Sequence, residues 1–149
     1  MSAGVLIIGA GQAAAQLAIS LRQGGYSGPI RMVGDEAYPP YQRPPLSKAF
    51  LKERPAVDTL LLRREGFWAD QGVALAVGVP VAAVEPAARR VTLRTGPSFE
   101  YETLVFATGT RARDLPVPGI GLPGVFSLRR IDDVRRIRPA LDDARRIDE

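Results

Sequence analysis

The stretch VLIIGAGQAA, residues 5–14, decides the fold of this chain. Val5 to Ile8 is a short continuous run of apolar residues, which is typical of a strand buried on both faces of a sheet. Gln12 to Gln23 follows with good helix formers and stops at two glycines, which predicts a helix. Ile30 to Val33 predicts a second strand. The order strand, helix, strand indicates one parallel βαβ unit with a right-handed crossover.

The bend between the first strand and the helix reads G-A-G-Q-A-A, residues 9–14. Gly9 permits a tight turn, Gly11 lets the backbone approach a pyrophosphate, and Ala14 lets the helix pack closely on the strand. The start of the helix offers unpaired N–H groups and a partial positive charge to phosphates. Because the pattern lies between a strand and a helix, it predicts a dinucleotide site. The alternative is a glycine turn without a ligand.

An acidic pair, Asp35 and Glu36, follows the second predicted strand. The dinucleotide pattern places an acid there to accept hydrogen bonds from a ribose. Asp35 lies 26 residues after Gly9, slightly more than the usual spacing of about twenty, and the connection over residues 24–29 explains the extra length. No arginine directly follows the acid, so the position does not suit a 2′-phosphate.

The rest of the chain alternates irregular and regular segments. Tyr38 to Pro45 is proline-rich and fits neither a helix nor a strand, and Ser47 is placed to cap a helical turn that ends at Leu51. A helix is predicted over Leu60 to Gln71. Further predicted elements are a strand over Val73 to Val77, a β-meander over residues 79–101, a strand over Thr103 to Ala107, and an amphipathic helix over Ile131 to Ala144 that Pro139 should kink or end.

Composition excludes several kinds of chemistry. The chain has no cysteine and no histidine, which excludes disulfides, thiolate nucleophiles, Ser-His-Asp triads and metal sites built on Cys or His. We predict no catalytic side chain and no metal ligand, so redox chemistry has to come from a bound cofactor. The net charge of +4 comes from arginines interleaved with acids, which indicates a solvated surface and not a nucleic-acid site. No apolar run is long enough to span a membrane, and the N-terminus lacks signal-peptide features, so we expect a cytoplasmic protein.

Several stretches together resemble one group of flavoproteins. They are VLIIGAGQAAAQLAISLR, RMVGDE, YPPYQRPPLSKAFL, TLVFATGT and LPVPG. The segment P-Y-Q-R-P-P-L-S-K, residues 40–48, is the most specific of them, and the resemblance extends from about Val5 to about Ile137. The group consists of the NAD(P)H-dependent reductases of ferredoxin, rubredoxin and putidaredoxin. These are pyridine nucleotide-disulfide oxidoreductase-like flavoproteins related to apoptosis-inducing factor.

The resemblance implies an α/β Rossmann-like FAD/NAD(P)-binding fold with a small β-meander insertion, and FAD as the cofactor of this region. The glycine loop would line the pyrophosphate, Asp35 would hold the adenosine ribose, Arg43 would reach the phosphates, and Lys48 would lie near the flavin ring. The alternatives are an ordinary surface charge for Arg43 and Lys48, and a plain sheet residue for Val81. The implied FAD contacts are Gly9, Ala10, Gly11, Gln12, Ala13, Asp35, Glu36, Arg43, Lys48, Val81, Thr108, Gly109 and Arg129.

The resemblance also suggests that the chain is a fragment. Members of the group carry a second glycine pattern that binds NADH and then return to the first domain, whereas this chain carries one such pattern. We therefore expect an incomplete FAD-binding domain over residues 1–110, a linker over 111–130, and the start of an NAD(P)-binding domain, otherwise missing, over 131–149.

The parent enzyme would pass electrons from NAD(P)H through FAD to a ferredoxin- or rubredoxin-type iron–sulfur protein, with no nucleic-acid or membrane partner. The main alternative is a stand-alone or remnant nucleotide-binding module without catalysis. A single-domain NAD-dependent dehydrogenase would need a Tyr-x-x-x-Lys pair, and none of the four tyrosines has a lysine four residues on.

A first prediction concerns the isolated chain. With no nicotinamide site and no returning segment to complete the pocket, we expect it to bind FAD weakly or not at all and to show no reductase turnover. Flavin fluorescence after addition of FAD and the rate of NADH oxidation measure the two properties. Rapid NADH-driven reduction of a dye would contradict the prediction.

Overall fold

The computed structural model describes residues 3–147, which form two compact units. The first unit contains the described residues up to Tyr41 together with Leu61–Gly109. The second contains Gln42–Leu60 and the described residues from Thr110 onward. Each unit is thus built from two separate stretches of the chain. No helix within residues 3–147 combines the length and apolar character that a membrane crossing needs.

The first unit contains a parallel sheet and a small antiparallel sheet. Its strands are β1 (Val5–Ile8), β2 (Ile30–Val33), β3 (Val73–Ala76), β4 (Val81–Glu85), β5 (Arg90–Leu93), β6 (Ser98–Glu100) and β7 (Thr103–Phe106). The parallel sheet has the order β3-β2-β1-β7, so β1 lies between two neighbours, and the antiparallel sheet has the order β4-β5-β6. The predicted α/β fold with a β-meander is confirmed.

Helix α1 (Gln12–Gln23) packs on the parallel sheet through small side chains. Ala14, Ala15 and Ala18 are buried together with Ile7 and Met32. Full burial of an apolar side chain the size of isoleucine or methionine contributes roughly 1.5–3 kcal/mol. The fully buried residues of the helix are all alanines, which lets its backbone lie close to the strands, and Leu17, Ile19 and Leu21 pack at the margin of this contact.

The second unit contains α2 (Ala49–Glu53) and α4 (Ile131–Ile147). Phe50, Ile131 and Val134 are almost completely buried. The Arg138 guanidinium carbon lies 4.6 Å from the centre of the Phe50 ring, a distance at which a cation interacts favourably with a ring face.

Two local predictions were wrong, and of the kink or end predicted at Pro139 the end is not observed. Within Leu60 to Gln71 the α-helix covers only α3 (Phe67–Asp70), since Leu61 forms a β-bridge with Tyr41 and Gly66 has a φ of +81°. Ser47 ends a 3₁₀ turn and does not cap α2, whose N-cap is Lys48. Helix α4 continues past the exposed Pro139 as far as Ile147, so the proline does not end it.

Arg22 joins three parts of the first unit. Its Nη1 donates to the carbonyl oxygens of Tyr26 at 2.6 Å and of Gly28 at 2.8 Å. Its Nε donates to the carbonyl of Gln71 at 2.8 Å, and its Nη2 to that of Gly72 at 2.9 Å. One guanidinium therefore holds the end of α1, the connection to β2 and the turn before β3.

We expect Arg22→Met to lower the free energy of unfolding by about 2 kcal/mol, because four carbonyl groups lose a charged donor and the two in the half-buried connection have little access to water. Urea denaturation followed by circular dichroism measures the loss. Arg113→Met, at an exposed position of the second unit, is the control and should change stability by less than about 0.5 kcal/mol. Equal stabilities for the two variants would contradict the prediction.

Candidate dinucleotide-binding site

The glycine bend leaves the central strand β1 and enters α1. Gly11 is the N-cap of the helix, with φ −96° and ψ −166°, and within the described chain no side chain caps the helix start. The first turn also contains no acidic residue. The amides of Gln12 and Ala13, which have no acceptor in a preceding turn of the helix, therefore face no competing carboxylate from the first turn itself.

Gly9 fits a space that admits no side chain. Its φ is +118°, and a Cβ atom built on it would lie 2.1 Å from the carbonyl oxygen of Ala107 and 3.1 Å from the amide nitrogen of Thr108. The Gly9 amide donates to the carbonyl of Val33 at 2.7 Å, and the Ala107 amide donates to that of Ile8, also at 2.7 Å. The bend is thereby held against the ends of both neighbouring strands, β2 and β7.

The end of β2 also approaches the bend closely. A Cβ atom on Gly34 would lie 2.5 Å from the Cβ of Ala10, so glycine is needed there for the two segments to meet. Asp35 follows directly and is exposed, and Glu36 is half-buried. This brings the acidic pair to the same edge of the sheet as the glycine bend.

The surface above Gly11 is open. A Cβ atom built on this residue would meet nothing within 4 Å. An anion can therefore approach the backbone there and accept hydrogen bonds from the first-turn amides, where the partial positive charge of the helix start favours it.

Val81, Thr108 and Gly109, which are also implied FAD contacts, lie in the first unit. Thr108 and Gly109, which has a φ of +68°, follow β7 and are exposed. Val81 begins β4 and packs against the apolar cluster that includes Leu93. The structure thus brings Thr108 to the glycine bend, whereas Val81 pairs with Leu93 in the meander.

Arg43, Lys48 and Arg129 lie in the second unit. The Nη1 of Arg43 donates to the carbonyl oxygen of Arg129 at 3.0 Å, which joins two residues that are far apart in the sequence. Lys48 is exposed at the start of α2. Arg43 and Arg129 line a cavity of about 330 Å³ together with Pro44, Leu46, Ser47 and Leu128.

Asp133 supports this arginine pair and was not singled out in the sequence. Its Oδ2 accepts hydrogen bonds from the amides of Arg129 at 2.8 Å and of Arg130 at 2.7 Å, and its Oδ1 accepts one from the Arg136 guanidinium at 2.5 Å. Burial raises the pKa of the Asp133 carboxyl, but the hydrogen bonds from Arg130, Arg129 and Arg136 hold that pKa below its ordinary value. An acid at the third position of a helix is the sequence signal that would have found it.

The family model of pyridine nucleotide-disulphide oxidoreductases matches residues 3–147. A rhodocoxin reductase from Rhodococcus erythropolis is 44% identical over 137 residues, which is 92% of this chain and 32% of that protein.

Two solved structures are similar to this chain over more than nine-tenths of its length. The crystal structure of a ferredoxin reductase from Rhodopseudomonas palustris matches with a TM-score of 0.87 at 42% identity, covering 95% of this chain and 35% of that one. The covalent complex of putidaredoxin reductase with putidaredoxin matches with a TM-score of 0.82 at 38% identity, covering 93% of this chain and 34% of that one. The chain therefore spans about a third of the length of these relatives.

The Asp133 contacts generate a prediction about pH. We expect Asp133→Ala to lower the free energy of unfolding by about 1 kcal/mol near pH 7, because the start of α4 loses its acceptor. Since the folded-state pKa is lowered, the Asp133 contribution is present above the ordinary value of about 3.9 and is lost as the pH falls through the folded-state pKa.

Urea unfolding of the variant and the parent chain at a series of pH values from neutral into the acid range measures this difference. The control is Asp132→Ala, which removes an exposed carboxylate 3.6 Å from Arg135 and should cost less than about 0.5 kcal/mol at any of these pH values. A loss for Asp133→Ala that is unchanged in acid would show that its charge contributes nothing.

Proposed function

The chain belongs to the pyridine nucleotide-disulphide oxidoreductase family, and on that premise we propose that it carries the FAD-binding region of an NAD(P)H-dependent reductase whose acceptor is a ferredoxin- or rubredoxin-type iron–sulfur protein. When bound, FAD supplies the conversion of a two-electron hydride transfer into single-electron steps. The work of the chain is to bind and orient that cofactor. The resemblance identified in the sequence is confirmed at the level of the family.

One observation carries the proposal, namely the open backbone at the start of α1. Gly11 leaves room for a pyrophosphate, and the amides of Gln12 and Ala13 are the donors that would hold it. The close contacts at Gly9 and Gly34 keep the neighbouring strand ends tight against the bend. Chemistry and space therefore both fit two linked phosphates.

The other residues of the proposed FAD site have separate roles. Asp35 would accept hydrogen bonds from the adenosine ribose, with Glu36 beside it. Arg43 would bind phosphate oxygens, for which a guanidinium offers paired donors. Lys48 would lie near the flavin, where an ammonium favours a negatively charged reduced ring. Backbone contacts would come from Ala10, Val81, Thr108 and Gly109, and a further cofactor contact from Arg129.

The proposed electron acceptor follows from the relatives. One relative is named a rhodocoxin reductase, and another is seen in a covalent complex with putidaredoxin. The net charge of +4 would favour encounter with an acidic protein of that kind. We propose residues 1–110 as the FAD-binding region, 111–130 as a linker and Ile131 onward as the beginning of the NAD(P) domain. A cytoplasmic location stays a prediction from the sequence.

The proposed pyrophosphate site predicts the effect of adding one methyl group. We expect Gly11→Ala to fold with a stability within about 1 kcal/mol of the parent chain, because its Cβ meets no atom and its φ is ordinary. It should weaken binding of FAD at least tenfold, because the methyl group occupies the space a phosphate needs.

Amide shifts in NMR spectra at millimolar FAD detect even weak binding. The control is Gly121→Ala, where a Cβ likewise meets no atom within 4 Å, and its affinity should equal that of the parent chain. Equal affinities for Gly11→Ala and the parent chain, or FAD-induced shifts in the parent chain that lie away from residues 9–14, would contradict the proposed site.

A further inference from the structure

The Glu36 carboxylate has a buried partner. The hydroxyl of Tyr41 donates to Glu36 Oε2 at 2.5 Å. Tyr41 is only 4% exposed, and its ring lies edge-to-face with that of Tyr38, with the ring centres 6.2 Å apart. The Tyr41 backbone also forms a β-bridge with Leu61. The donor is thus anchored before it contacts the acid.

The backbone around the acidic pair is anchored as well. The Gly34 amide donates to the carbonyl of Ala76 at 2.9 Å, and the Gly34 carbonyl accepts from the amide of Val79 at 2.9 Å. The Glu36 carbonyl accepts from the amide of Gly78 at 2.7 Å. These hydrogen bonds hold the main chain on both sides of Asp35. The Glu36 side chain can still rotate, and the hydrogen bond from the Tyr41 hydroxyl restricts that rotation.

We propose that Tyr41 is a positioning residue for ribose recognition, whose hydroxyl orients the Glu36 carboxylate so that the acidic pair presents its acceptors to the two hydroxyls of an adenosine ribose. This inference rests on the proposed function, and it adds Tyr41 to the residues that determine which nucleotides bind. The physical basis is preorganisation: a glutamate fixed in advance loses little side-chain entropy when the sugar binds. An unfixed glutamate would lose that entropy on binding and hold the ribose less tightly.

The test uses Tyr41→Phe, which removes the hydroxyl and keeps the buried ring. Binding of ADP and of 2′,3′-dideoxy-ADP, which lacks both ribose hydroxyls, is measured by NMR titration of the whole chain. We expect the parent chain to prefer ADP about tenfold. We expect Tyr41→Phe to bind ADP several-fold more weakly and dideoxy-ADP as the parent chain does, so that the preference falls towards one.

Two further variants complete the design. Tyr101→Phe removes the hydroxyl of another buried tyrosine of the first unit and should keep the full preference for ADP. Glu36→Gln removes the charge that the hydroxyl contacts and should lose the preference as Tyr41→Phe does. Combining it with Tyr41→Phe should cause no further loss, because both changes act on one interaction. If Tyr41→Phe does not fold, Tyr41→Met, which also lacks the hydroxyl, takes its place in the titration and is read by the same criteria.

The possible outcomes separate this inference from the proposed function. If Tyr41→Phe keeps the ADP preference, or weakens both nucleotides equally, the tyrosine has a structural role only and the inference is overturned. Equal binding of the two nucleotides by the parent chain overturns ribose recognition and leaves the phosphate site standing. If the parent chain binds neither nucleotide, the proposed function fails and the inference fails with it.

Discussion

The close approach of the strand ends to the glycine bend is the constraint on which the rest of the site depends. At Gly9 a side chain would collide with the carbonyl oxygen of Ala107, and at Gly34 with the methyl group of Ala10. Without these contacts the bend would stand away from β2 and β7. The first amides of α1 would then no longer share one edge of the sheet with Asp35. Two glycines at points of close backbone approach thus determine where phosphate and sugar groups can be bound together.

The sequence predicted the centre of the first unit closely because its signals are local. The strands β1 and β2 and the helix α1 have the predicted bounds, since continuous apolar runs and glycine stops depend on near neighbours only. The helix expected over Leu60 to Gln71 was wrong for the opposite reason. The Leu62 amide donates to the carbonyl of Pro40, and no periodicity within the segment reveals a partner twenty-two residues earlier in the sequence.

In the candidate site, too, the features with local sequence signals could be predicted and those that depend on distant partners could not. The glycine bend and the acid after β2 could be found from spacing, because the fold that joins them is a single βαβ unit. The contacts of Arg43 with Arg129 and of Tyr41 with Glu36 could not, because they depend on how irregular, proline-rich segments fold back on the chain. Asp133 lies between these cases, since its position near the start of α4 is visible in the sequence but its two amide partners are not.

The alanine face of α1 has a consequence for redesign. Ala14, Ala15 and Ala18 set the distance between the helix axis and the sheet. They therefore also fix the position of the partial positive charge at the start of the helix. A bulkier residue at any of the three would move this charge away from the strand ends. Because the effect of the charge falls off within the first turn, a bound anion would then be stabilised less. Efforts to change the ligand preference of this scaffold should therefore alter the loops that surround the ligand and leave these three methyl groups as they are.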